Sequence, residues 1–457
     1  MAQWPCSDNR GYCLRAFPSR VCRNLIIAVI AVAGVAGGSI PACAQLVSSS
    51  IHTEGFSGST TSKLTLRQFI NEVARSNVDL AAQRYNVSIA QAQLVAARVS
   101  PNPTLSFGGT RDVSNKQQPS SENGGLSQMI EVGGKRHFRV SAATKNLLAS
   151  SATLEDFFRT LRGTAANAFI DAVASDMIVQ QKSKAAESLR GLADLNRVRF
   201  KEGDIAEVDY NQATVDSLQA EADLISAKAT GSSALLALVQ LLGKPGPTLP
   251  RPSSDLKIGD RKFELARLLK RTMQTRPDIV AARHAYESAR ASVCLARANR
   301  LPDVTLNAGL QQNESGRNPI NPSPNYNLLN FGFSVPLPFF NSFRGEYLVA
   351  TNTALQSEKT LQSVELKAEV DVRQSFQRFR FSEQRAAQYE GSILDLAVKV
   401  LEARLEAYKT GGATLLDVLT AQKAESEVRL AAIDALSERA KALVALEQAA
   451  NIWDVDL

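Results

Sequence analysis

The chain repeats itself. Asp79, Ala82, Arg84, Ala90, Ala92, Ala97, Arg98 and Pro103 recur 199 residues later as Asp278, Ala281, Arg283, Ala289, Ala291, Ala296, Arg297 and Pro302. Further along, Phe200, Gly203 and Asp209 recur as Tyr408, Gly411 and Asp417. Each copy runs through helix, strand pair, long helix, glycine turn and returning helix. A duplication on this scale organises the whole fold, so every motif has a twin to be compared with.

Composition favours helices. Aromatics make up 6% of the 457 residues, and no proline falls between Pro119 and Pro245 or after Pro338. Such stretches suit long helices better than a compact aromatic core. The first long helix is predicted over about 139–201, roughly 60 residues and on the order of 90 Å. The second is predicted over 344–409. They stop at Gly203 and at Gly411-Gly412. Near the end of the second, Leu394, Val398, Leu401, Leu405 and Tyr408 recur at steps of four and three, a coiled-coil seam.

Helical periodicity also covers 64–100, with a break near Ser76-Asn77 and a stop at Pro101 and Pro103. Strand character follows at about 104–111 and 126–132, and again at about 304–311 and 328–335. The second copy is clearer, because Val304, Leu306, Ala308 and Leu310 alternate with Thr305, Asn307, Gly309 and Gln311. The predicted organisation is a first repeat over 63–243, a Pro-rich linker over 244–261 and a second repeat over 262–457.

The N-terminus reads as an export signal over 1–44. Arg10, Arg15, Arg20 and Arg23 precede an apolar run from Leu25 to Val35 and then Ala42-Cys43-Ala44. Ile40-Pro41-Ala42-Cys43 also loosely matches a lipobox, which would lipidate Cys43. Proline at its middle position speaks instead for cleavage after Ala44. Residues 45–62, rich in Ser, Thr and Gly, are expected to be mobile. Cys6, Cys13 and Cys22 leave with the signal, so no intrachain disulfide is expected at Cys294. The net charge of +7 falls to +4 after cleavage, which gives no case for nucleic acid. His52, His137 and His284 lie far apart and build no metal site. No nucleophile motif or paired-acid constellation points to an enzyme, and no cofactor is expected.

The strands lie beside helices that read as too polar and too long to span a membrane. They form either a small soluble hairpin in each copy or part of a transmembrane β-barrel, whose strands carry this weak alternating signal. Four strands cannot close a barrel, so on the second reading several chains share one.

The stretches LSQMIEVGGKRHFR (126–139), FGFSVPLPFFNSFRGE (331–346), FKEGDIAEVDYNQA (200–213) and YKTGGATLLDVLTAQ (408–422) decide between these. With the duplicated plan, they resemble the TolC family of outer-membrane efflux channels from about Leu64 to Leu446. The GGKR and PLPFFN segments look most like the branch exporting divalent heavy-metal cations, the CzcC-like proteins. The resemblance implies a mainly α protein with a small β part. In the outer membrane of a Gram-negative bacterium, a homotrimer would give four strands per chain to a twelve-stranded barrel that meets outer-membrane lipid. Its long-helix coiled-coil hairpins would continue the barrel as a periplasmic tunnel. A periplasmic adaptor, the membrane fusion protein, would join this passive channel to a proton-driven inner-membrane pump of the resistance-nodulation-division (RND) type.

The family pattern also assigns residues. Asp417 would contribute to a carboxylate ring at the periplasmic entrance, where a second expected aspartate is Thr420 here. Asp209 is its first-copy counterpart, and Tyr408 would supply a hydrogen bond that holds the entrance closed. Gly133-Gly134 and Pro336 with Pro338 would mark the strand-to-helix boundary, with Lys135 and Arg136 as solvated charges. Cargo other than metal, such as an organic compound or antibiotic, stays open at this point. A periplasmic adaptor is the non-channel rival, although that class has one helical hairpin flanked by β-rich domains.

Overall fold

The computed structural model describes residues 64–111, 120–243, 252, 256, 259, 261–315 and 324–453. The expected signal, Cys43, the whole N-terminal segment 45–62 and most of the linker lie outside these residues. The first copy comprises α1 (Leu66–Ser76), α2 (Val78–Arg98), β1 (Thr104–Thr110), β2 (Ser121–Ile130), α3 (Lys135–Glu202) and α4 (Glu207–Leu242). The second comprises α5 (Leu265–Thr275), α6 (Pro277–Ala298), β3 (Val304–Asn313), β4 (Tyr326–Ser334), α7 (Arg344–Gln388), α8 (Leu394–Lys409) and α9 (Leu415–Ala450). The fold is mainly α with one small sheet. At 68 residues α3 is about 100 Å long.

Twin positions perform twin tasks. Asn77 ends α1 and starts α2, its Oδ1 accepting from the Leu80 N–H at 2.9 Å. Its Nδ2 donates to the Leu241 carbonyl at 2.9 Å, capping the end of α4. In the second copy Arg276 stands between α5 and α6 and donates to the carbonyl of Ala449, at the end of α9. Each bend thus satisfies an orphan carbonyl of its own copy's returning helix. Around both bends lies the main core, with Leu66, Phe69, Phe169, Ile170, Leu238, Leu443 and Leu446 buried together.

The second long helix is not continuous. A single π-helical turn, Tyr389–Ile393, separates α7 from α8 and contains Gly391. Such a turn adds a residue to one circuit and shifts the phase of the seam beyond it. Cys294 lies on α6, and the other four cysteines lie outside the described residues. Among the described helices, α4 alone is long and apolar enough to cross a membrane by length and composition.

The strands form one antiparallel sheet in the order β1-β2-β3-β4. β2 and β3 join the copies, pairing Leu126 with Ala308 and Gly124 with Leu310. Partners across a ladder share a face. One face carries the rows Leu105, Leu126, Ala308, Phe331 and Phe107, Gly124, Leu310, Leu329. The other carries Ser106, Gly125, Gly309, Asn330 and Gly108, Asn123, Gln311, Leu328. The apolar face is exposed, with Phe107, Phe331 and Phe333 all open. Glu122 is the one charged residue in the four strands.

Candidate functional site

The two helix turns lie at the ends of the long hairpins and are built alike. At the first, the Gly203 N–H donates to the Phe200 carbonyl at 3.1 Å and Asp204 N–H to Arg199 at 2.9 Å. At the second, Gly411 N–H donates to Tyr408 at 3.3 Å and Gly412 N–H to Ala407 at 2.7 Å. This is the Schellman closure, which needs a left-handed residue. Gly203 and Gly411 supply it at φ 82° and 79°.

The returning helices then differ. Thr414 caps α9, its Oγ1 accepting from the Asp417 N–H while Asp417 Oδ2 accepts from the Thr414 N–H at 3.0 Å and hydroxyl at 2.7 Å. The hydroxyl and then the backbone N–H of Thr414 hold the Asp417 carboxyl below the ordinary aspartate range. The twin of Thr414 is Ala206, which offers no side-chain cap, and Asp209 stands exposed in the first turn of α4. Thr420 is exposed on α9, its hydroxyl donating to the Leu416 carbonyl at 2.7 Å.

Tyr408 is buried beside Leu415, Val418 and Leu419. Its Oη donates to Asn196 Oδ1 at 2.7 Å, and Asn196 Nδ2 donates to the Leu192 carbonyl at 2.9 Å. The Arg199 guanidinium lies 5.1 Å over the Tyr408 ring. Asn196 is 0% exposed, and sequence reading did not find it. The available signal was a carboxamide on the apolar seam of α3, three to four residues from Leu192, Ala193 and Phe200.

At the other end of the long helices lies the strand-to-helix boundary. Gly133 and Gly134 are both left-handed, at φ 76° and 73°. A Cβ on Gly133 would meet Leu301 Cδ1 at 2.8 Å. Lys135 is not a solvated charge: it is 7% exposed and its Nζ donates to Asp303 Oδ1 at 2.7 Å. The same oxygen accepts from the Val132 N–H at 3.0 Å. The side chain points inward because α3 begins against the α6–β3 connection. Arg136 donates to the Arg98 carbonyl, and Arg139 donates to the carbonyls of Ala97 and Val99 and pairs with Glu131. In the second copy Pro336 and Pro338 lie in the irregular passage between β4 and α7, and Phe343 caps the start of α7 at φ 54°.

No group of three His, Cys, Asp or Glu side chains able to hold a metal ion occurs among the described residues.

The sequence model of the family described as "Outer membrane efflux protein" matches residues 69–244 and again 268–451. The chain belongs to this family. It is an outer-membrane protein, and its family is one of efflux proteins, not an enzyme family. The cobalt-zinc-cadmium resistance protein CzcC of Cupriavidus metallidurans is 25% identical over 84% of this chain and 89% of its own length. The pyoverdine export outer membrane protein OpmQ of Pseudomonas aeruginosa is 25% identical over 84% of each. Among solved structures, the Campylobacter jejuni CmeC outer membrane channel superposes with a TM-score of 0.72 at 17% identity, covering 84% of this chain and 85% of that one. CusC superposes at 0.71 and 19% identity, covering 84% and 92%.

Proposed function

We propose that three copies of this chain form the outer-membrane channel of a tripartite efflux system, passively conducting divalent heavy-metal cations such as cobalt, zinc, cadmium or nickel to the exterior. The observation that carries the channel reading is the sheet: one face is mostly apolar and exposed, with Glu122, Gln312 and Asn327 in its end row, the other is mostly polar, and β1 and β4 are left as unpaired edges among the described residues. An edge in hydrocarbon is untenable, so β4 pairs with β1 of the next copy until the barrel closes. The exposed apolar side of α4, including Val215, Leu218 and Ile225, supports the same assembly. A periplasmic adaptor and an RND pump supply the link to the inner membrane and the energy.

The repeats 63–243 and 262–457 then give the trimer a six-fold quasi-repeat, with the turns at Gly203, Gly411 and Gly412 at the periplasmic entrance. There Asp417 contributes one carboxylate per copy, and three of them favour cations. Thr420 adds no charge, and Asp209 stands at the equivalent first-copy place. The Tyr408–Asn196 bond holds α8 against α3 and keeps the entrance narrow.

The metal assignment rests on the similarity to CzcC. The similarity to OpmQ favours a second reading, an organic cargo, and the polar sheet face of hydroxyls and carboxamides suits either. Deletion in the native host separates them. Growth on zinc, cobalt, cadmium, nickel and copper should become sensitive while tolerance to an antibiotic panel holds. Unchanged metal tolerance with drug hypersensitivity replaces the first reading by the second.

A further inference from the structure

The long helices form a layer with two open sides. α4 packs on α3, α3 on α9 and α9 on α8, so α4 and α8 are its outer members among the described residues. Each continues an edge of the sheet. α4 ends against the Ser76–Asn77 bend, from which α2 leads to β1, while β4 leads through α7 to α8. Both outer helices carry an uncovered stripe. On α4 it advances from Val208 to Leu236 by alternating steps of three and four, and every position is exposed. On α8 it is Leu396, Val400, Ala403 and Ala407, opposite the seam that holds Leu405 and Tyr408 inward. This stripe is out of step with α7. Buried Tyr408 lies four heptads and one residue beyond buried Phe379. On the outer side, three heptads beyond exposed Phe381 falls Glu402, and the stripe uses Ala403 instead. The π-turn Tyr389–Ile393 absorbs that single residue.

We propose that the π-turn sets the phase of α8 so that its apolar stripe docks, antiparallel, on the α4 stripe of the next copy. The proposal rests on the reading that copies close a ring by joining β4 to β1. Three features favour a second copy as the occupant. The first is continuity, because a ring that joins β4 to the next β1 carries α8 towards the next α4. The second is level and size. Tyr408 bonds to Asn196, and α3 lies beside α4 with Phe200 stacked on Tyr210 and Lys182 paired with Asp223, which puts Tyr408 level with Gln212. Rotation about an axis along the helices preserves level. The nearest heptad register then sets Ala407 against Val215, Ala403 against Leu218 and Val400 against Ala222, so that small faces large at each step. Ala229 and Ser232, also small, fall opposite the π-turn. The third is charge. From Glu207 to Ala227, α4 carries five carboxylates and no Lys or Arg, while exposed Lys399 and Arg404 flank the α8 stripe.

The test places the photo-crosslinker p-benzoylphenylalanine singly at Val400 and at Glu402 of the full-length protein, irradiates it in the membranes of cells that make it, and maps the adducts by mass spectrometry. Both sites are on the surface of one chain, so neither substitution disturbs a core. The expected result is an adduct of two chains from Val400, mapping to residues 218–225 of α4, and none there from Glu402. An α4 adduct from Glu402 and none from Val400 overturns the phase, since α8 then continues α7 without the slip. Native mass spectrometry of the detergent-extracted protein keeps the two readings apart. If the protein runs as three copies while the Val400 adduct falls within its own chain or on a different protein, the seam fails and the ring stands. If it runs as one copy and gives no adduct between chains, both fall.

Discussion

Tyr408 and its twin Phe200 differ by one oxygen, and that oxygen decides how each tip is held. Phe200 stacks on Tyr210 at 5.4 Å with nearly parallel rings, a ring contact that carries no hydrogen bond. Tyr408 instead places its hydroxyl on fully buried Asn196. In Tyr408→Phe, the Asn196 oxygen loses its partner in a site closed to water, at a cost of about 1–2 kcal/mol. Conductance of the purified channel in planar bilayers should rise, and the α8 tip should become more sensitive to protease. Unchanged conductance would sink the latch. Asp417 predicts a different readout. Its carboxyl is held low by Thr414, so the folded state binds its proton less readily than the unfolded chain. The capping contribution is therefore fully present above the unfolded value and is lost only as pH falls through the lower folded value. Cation preference, read as a reversal potential across a salt gradient, should stay flat from neutral pH down to the ordinary aspartate range. It should drop in Asp417→Asn throughout that pH range, where the carboxyl is ionised. A titration near neutral pH would place the selecting charge on another group.

Among the elements, the turns were the most legible part of the sequence, because a glycine followed by a capped helix has few structural solutions. Nothing lies within 4 Å of a Cβ built on Gly203 or Gly411, so only their left-handed backbone excludes a side chain. Gly203→Ala and Gly411→Ala should each cost about 1–2 kcal/mol, seen as faster amide exchange confined to that tip. Loss spread along the hairpin would show a wider role. The strands were less legible. Ser121 to Gly125, SENGG, has loop chemistry, yet it is strand because β1 and β3 flank it and complete its ladder. A strand between two partners does not need its own propensity. The π-turn was hidden for a related reason: Gly391 is an ordinary weak helix residue until neighbouring contacts fix where the break falls. Lys135 was misread as solvent-facing because its partner, Asp303, lies 168 residues away, beyond any local pattern. Lys135→Met should destabilise the boundary by about 2–3 kcal/mol by stranding Asp303, and adding Asp303→Leu should recover part of it. Equal loss in single and double variants would mean that the charges act separately.

At the scale of the whole molecule, the duplication explains why one chain is insufficient. Inside the chain, β2 and β3 meet across the repeat boundary and satisfy each other. The quasi-equivalent meeting of β4 and β1 cannot occur within one chain, because the four strands between those edges are too few to curl into a closed barrel. The contact that joins the copies internally is thus the pattern for the contact between chains, and repeating it closes a ring. Three chains with four strands each give twelve, within the range of closed membrane barrels. Detergent-solubilised protein should therefore run as three copies under native mass spectrometry, with the edge amides of β1 and β4 as protected from exchange as those of β2 and β3. A stable monomer whose β1 and β4 amides exchange freely would remove the shared barrel. The lumen argument would go with it, since the polar face of Asn123, Asn330 and Gln311 encloses a path only if the edges meet.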